Sequence, residues 1–227
     1  MSATITLTSP DGFSLPVYEA RPAGPVRGAI VVIQEIFGVN AHIRAVADGY
    51  AAQGYLALAP AAFHRVRQGV ELGYTQDDIQ QGVALKAAVQ ALPAPGVMAD
   101  LETTVRHAAS AGKVGTVGYC WGGALVWRCA ALVPGLSAAV AYYGGGMTVG
   151  DELRRQPACP VQCHFGDADH AIPNETVAAF RAAQPGVDVH VYAAQHGFNC
   201  DHRASYNAAA ASQALDRSLA FFARHLA

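Results

Sequence analysis

The sequence has no excess of charge of either sign and no long apolar run. Its 15 Lys and Arg residues nearly balance its 17 Asp and Glu residues, so neither a basic stripe nor an acidic tail is predicted. Nucleic acid is therefore not an expected partner. The longest apolar stretches, at residues 29–33 and 55–60, are far shorter than the roughly 20 residues needed to cross a bilayer. These features exclude a nucleic-acid-binding protein and a membrane-embedded protein as expected classes.

The sequence also lacks a disulfide framework and a secretory leader. Its five cysteines are odd in number and show no framework spacing, so disulfides are not expected. The first residues offer neither a basic segment nor an apolar segment of the secretory type, which predicts a cytoplasmic location. At least one cysteine is therefore free to take part in chemistry.

Length and apolar periodicity predict one α/β domain spanning residues 1–227. About half of the chain is apolar, which is enough for one sizeable core. The first 20 residues, around an Asp-Gly turn, predict an antiparallel hairpin. Short buried strands then alternate with helices, which predicts a mostly parallel central sheet with helices on both faces. The predicted strands cover residues 29–33, 55–59, 113–118, 137–141, 160–165 and 187–192, and the predicted helices cover 42–53, 77–92, 97–111, 122–132, 173–183 and 203–226.

The most informative local motif is Gly-Tyr-Cys-Trp-Gly-Gly at residues 118–123, between a predicted strand and a predicted helix. It matches the Gly-x-nucleophile-x-Gly turn of α/β-hydrolases, with Cys120 in the position of the nucleophile. The helix N-terminus favours a thiolate there, and the N–H of Trp121 is expected to face a developing oxyanion. A plain tight turn or a phosphate site is the alternative, but the glycine spacing is wrong for a dinucleotide-binding loop.

Two later segments offer the other members of a catalytic triad in the order typical of this fold, nucleophile, acid and histidine. Asp167 and Asp169 both follow the strand at residues 160–165, and His196 directly follows the last strand. We favour Asp169 as the acid because Asp167, beside a glycine, is expected to stabilise the turn. The choice between the two carboxylates remains open from the sequence.

Other histidines are expected to have structural roles. His164 and His170 flank the acid segment, and His202 lies near the predicted start of the final helix. A metal site formed by His164, Asp169, His196 and Cys200 is an alternative, but it lacks a short, recognisable ligand spacing. The sequence therefore predicts no metal ion and no organic cofactor.

These residues resemble the dienelactone hydrolase (carboxymethylenebutenolidase) family over nearly the whole chain. The family's cysteine, aspartate and histidine fall on Cys120, Asp169 and His196. The resemblance implies an α/β-hydrolase fold, a monomer, and a small lactone or ester as substrate. Its most specific motifs lie at residues 34–40, 118–123, 142–144 and 169–173, and at His196.

The resemblance assigns roles to two residues that follow the first buried strand. In family members, an acidic residue that corresponds to Glu35 holds the thiol protonated at rest and swings away when substrate binds. The N–H of Ile36 corresponds to the family's second oxyanion donor. A carboxylate directly after a buried apolar strand is costly unless it has a partner, so a structural ion pair is the alternative role for Glu35.

The sequence departs from the family where substrate is held. Family members that act on dienelactone use an arginine and a tyrosine before the nucleophile strand, and an arginine after the histidine, and here these positions are Gln81, Leu85 and Cys200. The two family arginines hold the substrate carboxylate. Tyr143 and Phe37 remain candidates for substrate contact. The arginines that could replace the missing ones are Arg203, Arg65 and Arg67.

The sequence therefore predicts an enzyme that hydrolyses small lactones or esters through a thioester on Cys120. Two alternatives remain open. One is a general carboxylesterase on the same fold, and the other is a non-catalytic relative that uses Cys120 as a reactive, redox-sensing thiol.

Overall fold

A single mixed sheet of eight strands forms the centre of the computed structural model, which describes all residues 1–227. The strands are β1 (Ser2–Thr8), β2 (Ser14–Ala20), β3 (Ala29–Ile33), β4 (Leu56–Pro60), β5 (Val114–Tyr119), β6 (Leu136–Tyr142), β7 (Val161–Gly166) and β8 (Asp188–Tyr192). The helices are α1 (Ala41–Ala52), α2 (Gln76–Gln90), α3 (Val97–Ala108), α4 (Trp121–Leu132), α5 (Asn174–Ala183) and α6 (Ala208–Leu226). Two short 3₁₀ turns lie at Ala109–Ala111 and Gly150–Arg154.

The strand order across the sheet is β1-β2-β4-β3-β5-β6-β7-β8. The N-terminal hairpin pairs antiparallel within itself and with β4, and every other strand pair is parallel. The predicted, mostly parallel sheet is thus confirmed. The carboxyl ends of the parallel strands share one edge, where sites of α/β sheets form.

Helices cover both faces of the sheet. Helices α1 and α6 meet on one face, where the rings of Tyr50 and Phe222 are 5.9 Å apart, while α3 contacts α4 and packs with it on β3 to β6. All residues of β3, β4 and β5 are buried, as expected for parallel strands covered on both sides. No helix is both long enough and apolar enough to span a bilayer.

The predicted start of the last helix at residue 203 is wrong. Helix α6 begins at Ala208, because the side chain of Asn207 caps it by accepting a hydrogen bond from the N–H of Ala210 at 3.1 Å. An asparagine that bonds the free N–H groups of a first turn is a strong start signal. The five residues before Ala208 form a loop instead, which leaves the side chain of Arg203 free to turn inward.

Candidate active site

The turn at Cys120 joins β5 directly to α4. Its backbone has φ 55° and ψ −118°, and only Tyr143, with φ 36°, is another non-glycine residue at positive φ. Such conformations are costly for a residue with a Cβ, and they cluster at functional sites. Cys120 is partly exposed, whereas the other four cysteines are buried and all five are free thiols. The fold therefore presents one thiol at the start of a helix.

Glycines allow the segments around this turn to approach closely. A Cβ on Gly118 would collide with the backbone of Gly122, and a Cβ on Gly122 would collide with the carbonyl oxygens of Ile33 and Gln34. Helix α4 can thus begin directly against the end of β3. This contact brings the residues after β3, including Glu35, beside the turn at Cys120.

We expect Gly122→Ala to lower the free energy of unfolding by about 1–3 kcal/mol, because overpacking against backbone atoms forces the helix away from β3. Urea denaturation measures the effect. Gly49→Ala is the matched control, since Gly49 also lies in a helix but a Cβ added there would meet no atom within 4 Å. That control is expected to stabilise the protein by up to about 1 kcal/mol, from helix propensity alone. Equal effects of the two changes would contradict the prediction.

Asp169 and His196 form a direct pair. The Nδ1 of His196 lies 2.7 Å from Oδ2 of Asp169, whose side chain is fully buried. The other carboxylate oxygen of Asp169 accepts a hydrogen bond from the N–H of Ala171 at 2.8 Å. Asp167, the competing candidate, is exposed, and its backbone oxygen accepts from Asn174. The structure therefore brings Asp169, and not Asp167, to the histidine.

The surroundings of His196 favour its protonated form. Burial alone would lower the pKa of its imidazole, but the hydrogen bond to Asp169 and the contact with the thiol of Cys120 raise that pKa to about 10. An imidazole in this setting binds a proton readily and is held in one orientation by the carboxylate.

Glu35 lies behind this pair and contacts Arg203. Its Oε1 accepts a hydrogen bond from Nη1 of Arg203 at 3.4 Å. Burial raises the pKa of Glu35, and the charges of Arg203 and His196 oppose that rise. Arg203 also lies over the ring of Phe37, with 5.7 Å between its guanidinium carbon and the ring centroid. The carboxylate thus has an ion-pair partner from the loop before α6.

Three buried polar atoms around the site have no hydrogen-bond partner in the protein. They are Oε2 of Glu35, Nε1 of Trp121 and the hydroxyl of Tyr143. The ring of Tyr143 packs edge-on against His196, with 5.0 Å between ring centroids. Because buried polar groups are almost always paired, this cluster of unpaired atoms marks a place for a polar ligand or water.

Two backbone N–H groups are free to face such a ligand. Trp121 is the first residue of α4, and first-turn N–H groups have no acceptor within their helix. The N–H of Ile36 donates no hydrogen bond to another backbone group. Helix α2 fixes Ile36 from the other side, since a Cβ on Gly82 would collide with the Ile36 carbonyl.

The remaining predicted substrate residues divide into two groups. Phe37 is buried and packs edge-on against Tyr74, with 4.6 Å between their ring centroids. Leu85 packs in the core, and the exposed Gln81 accepts a hydrogen bond from Arg67 at 3.2 Å. Neither α2 residue supplies the cation that family members have there.

Of the three arginines considered, Arg203 alone contacts the residues of this site. Arg65 is engaged by the buried Asp100 and by Asp11, each at 2.7 Å. Arg67 is exposed and bonded to Gln81. The spatial position of Arg203 is not apparent from the sequence, because the apolar pattern places residue 203 at the start of a helix.

The four residues weighed as a metal set do not come together. His164 is fully buried and hydrogen-bonded to Tyr192 at 2.8 Å and to Ser218 at 3.1 Å. Cys200 instead lies near Glu35 and His42, and no sequence motif links these three residues. His202 is half exposed, 3.7 Å from Asp201.

The irregular segment between β4 and α2 closes one side of the site. Phe63 stacks on Trp121 with 5.0 Å between ring centroids and 10° between ring planes. Further along, the N–H of Leu72 donates to the carbonyl of Phe37 at 2.8 Å. This segment therefore contacts both the turn at Cys120 and the loop after β3.

Comparisons with known proteins identify the family of this chain. The profile of the dienelactone hydrolase family matches residues 15–226. The carboxymethylenebutenolidase of Pseudomonas putida is 36% identical, over 96% of this chain and 95% of its own. A crystal structure of a candidate dienelactone hydrolase from Klebsiella pneumoniae superimposes with a TM-score of 0.85 at 33% identity, covering 99% of this chain and 98% of that one. A Pyrococcus furiosus esterase, at 14% identity and a TM-score of 0.74 over 100% and 93% of the two chains, shares the fold alone. The chain thus belongs to the dienelactone hydrolase family and is a hydrolase of carboxylic esters.

Proposed function

We propose that this enzyme opens small lactones and esters through a thioester on Cys120, with Asp169 and His196 completing a triad. One observation carries the proposal. The Asp169–His196 hydrogen bond, 2.7 Å long, lies beside a thiol that a strained strand-to-helix turn presents. Nucleophile, base and orienting acid in contact are the arrangement that covalent acyl transfer needs.

In the first half of the reaction, His196 holds the proton that comes from the Cys120 thiol, and the sulfur attacks the carbonyl carbon. The N–H groups of Trp121 and Ile36 are the proposed donors to the oxyanion, each worth about 10²–10³ in rate. As the C–S bond forms, the ring C–O bond breaks and the leaving oxygen takes the proton from His196. The products of this half are a thioester and a free hydroxyl or enol.

In the second half, His196 removes a proton from water, which attacks the thioester carbon. The C–S bond breaks, the sulfur of Cys120 regains the proton, and the carboxylic acid leaves. The original thiol proton leaves on the hydroxyl product and a proton from water replaces it on the sulfur, so the enzyme is regenerated with no metal ion or organic cofactor.

The substrate proposal rests on Arg203. This guanidinium is the cation at the site, and it is paired with Glu35 by a single, long hydrogen bond of 3.4 Å. A guanidinium binds a carboxylate best through two parallel hydrogen bonds, so an acidic substrate is expected to compete well for it. We therefore propose that lactones carrying a carboxylate are bound through Arg203, with Phe37 beneath it.

A substrate panel tests the proposed function. Wild-type protein is assayed with dienelactone and with p-nitrophenyl acetate, and kcat/KM is compared. Hydrolysis of both, with dienelactone favoured, is the expected result. Hydrolysis of the acetate alone would support the general carboxylesterase alternative, and inactivity toward both would contradict the proposal.

Thiol labelling distinguishes the five cysteines without a substrate. Iodoacetamide is expected to modify Cys120 much faster than any other cysteine, because thiolates react and burial suppresses them. Burial raises the pKa of Cys129 to about 12 and that of Cys159 to about 11. Mass spectrometry of tryptic peptides after short exposure measures the rates. A fast-reacting Cys120 in a protein that turns over no ester would instead favour the reactive-thiol alternative.

A further inference from the structure

A second group of chemically reactive side chains lies directly behind Glu35. Glu35 follows β3, His42 lies in the first turn of α1, and Cys200 lies in the loop before α6. One potential ligand atom from each, a carboxylate oxygen, an imidazole nitrogen and the sulfur, all lie within 4.8 Å of one another. The three residues are 1%, 4% and 0% exposed. Three segments distant in sequence thus converge on one buried point.

Two of these side chains have polar atoms without a partner. Neither Oε2 of Glu35 nor Nε2 of His42 makes a hydrogen bond in the protein, and both atoms are buried. Leaving one buried polar group unpaired costs roughly 1–3 kcal/mol. Two such atoms beside a buried sulfur indicate that a bound ion or small molecule fits between them.

The surroundings prepare His42 to bind a metal. Its Nδ1 lies 3.3 Å from Oδ1 of Asp201, and its Nε2 is buried and unpaired. Metal-binding histidines almost always donate their other N–H to such a carboxylate. A neutral imidazole is the form of histidine that binds a metal ion.

The charges and ligand types select the ion. A thiolate from Cys200 and the carboxylate of Glu35, which is also paired with Arg203, supply the anionic ligands that a divalent cation needs. Sulfur and imidazole ligands suit zinc, whereas magnesium and calcium prefer oxygen ligands. The thiol proton of Cys200 leaves to solvent as the metal–sulfur bond forms.

We propose that Glu35, His42 and Cys200 form a binding site for a zinc ion. The bound ion engages the carboxylate of Glu35 and thereby slows ester hydrolysis. His42 and Asp201 also line a cavity of about 540 Å³ between α1 and α6. Zinc bonded to Oε2 fixes the carboxylate that pairs with Arg203 and lies close to His196. The inhibitory effect rests on the proposed function, but binding of the ion does not.

Cobalt binding tests the site, because cobalt bonded to a thiolate has a charge-transfer absorption that other ligands do not produce. The measurement uses full-length Cys120→Ala, since Cys120 with His196 is a competing pair of metal ligands. One cobalt ion per chain and a thiolate band are expected. Adding Cys200→Ser to this variant should abolish the band, whereas adding Cys159→Ser should leave it. Cys159 is the matched control because it is also a buried thiol and lies outside the proposed site.

Competition with zinc then gives affinities. His42→Gln and Cys200→Ser are each expected to weaken zinc binding by more than about 100-fold, and Asp201→Asn by about 10- to 100-fold. Circular dichroism confirms that each variant is folded, and His42→Gln replaces Cys200→Ser if the latter is not. Zinc should inhibit the hydrolysis of p-nitrophenyl acetate by the wild type but not by Cys200→Ser.

Three results would overturn the proposal. The thiolate band could be present in the wild type but absent in Cys120→Ala, which would place the ion on the nucleophile. Binding could depend on His202 rather than on Cys200, which would place it on the exposed pair of Asp201 and His202. Finally, the folded protein could bind no cobalt or zinc at all. Failure of the substrate panel with intact cobalt binding would contradict the proposed function only.

Discussion

Replacing Cys120 with alanine is expected to lower kcat/KM for p-nitrophenyl acetate by about 10⁴-fold or more, as removal of a triad nucleophile does elsewhere. The thiol is the single partly exposed cysteine and lies at the strained turn before α4. Without it, His196 has no nucleophile to deprotonate except water. Initial rates at substrate concentrations well below KM provide the measurement.

The control for this change is Cys159→Ala, which removes a buried thiol outside the site. Its kcat/KM should stay within a few-fold of the wild type. If Cys120→Ala kept a tenth or more of wild-type activity, the covalent mechanism proposed above would be wrong. The free energy of unfolding of Cys120→Ala should not fall, since alanine introduces no larger side chain at the strained position.

Asp169→Asn is expected to reduce kcat by about 10⁴-fold, because an asparagine in this place holds the histidine in the wrong tautomer. In the native protein, Oδ1 of Asp169 accepts from the N–H of Ala171, so Oδ2 is the atom that orients His196. An amide nitrogen at Oδ2 would donate to Nδ1 and leave the proton on the nitrogen that faces the thiol. Stopped-flow or steady-state assays at saturating substrate measure kcat directly.

Asp167→Asn provides the matched control, two residues away on the same loop. Asp167 is exposed and contributes its backbone oxygen, rather than its carboxylate, to a hydrogen bond with Asn174. Its substitution should leave kcat within about threefold of the wild type. A large loss from Asp167→Asn with little loss from Asp169→Asn would reverse the assignment of the acid.

The parts of the fold that the sequence predicts well are those set by local pattern. The predicted and observed bounds of β3 coincide, because five consecutive apolar residues between two polar segments indicate a short buried strand. The turn at Cys120 is predictable for a similar reason, since its glycines are required by backbone contacts within a few residues of the nucleophile.

What the sequence does not show depends on contacts between distant segments. The pairing of Arg203 with Glu35 joins residues 168 positions apart, and the expected helix start at residue 203 obscures it. His42 falls in a predicted helix with no evident role, because its position beside Cys200 arises only when α1 and the last loop meet across the sheet edge. Asp169 and Asp167 likewise differ in burial, which sequence spacing does not reveal.

Because α2 approaches Ile36 closely, position 82 is constrained during evolution, whereas the neighbouring position 81 is free to change. Position 82 tolerates only glycine, because any side chain would displace the peptide that carries a proposed oxyanion donor. Position 81 is exposed, and its side chain bonds only to another exposed residue. Natural variation or directed evolution can therefore change residue 81 freely, while residue 82 keeps the Ile36 peptide in place.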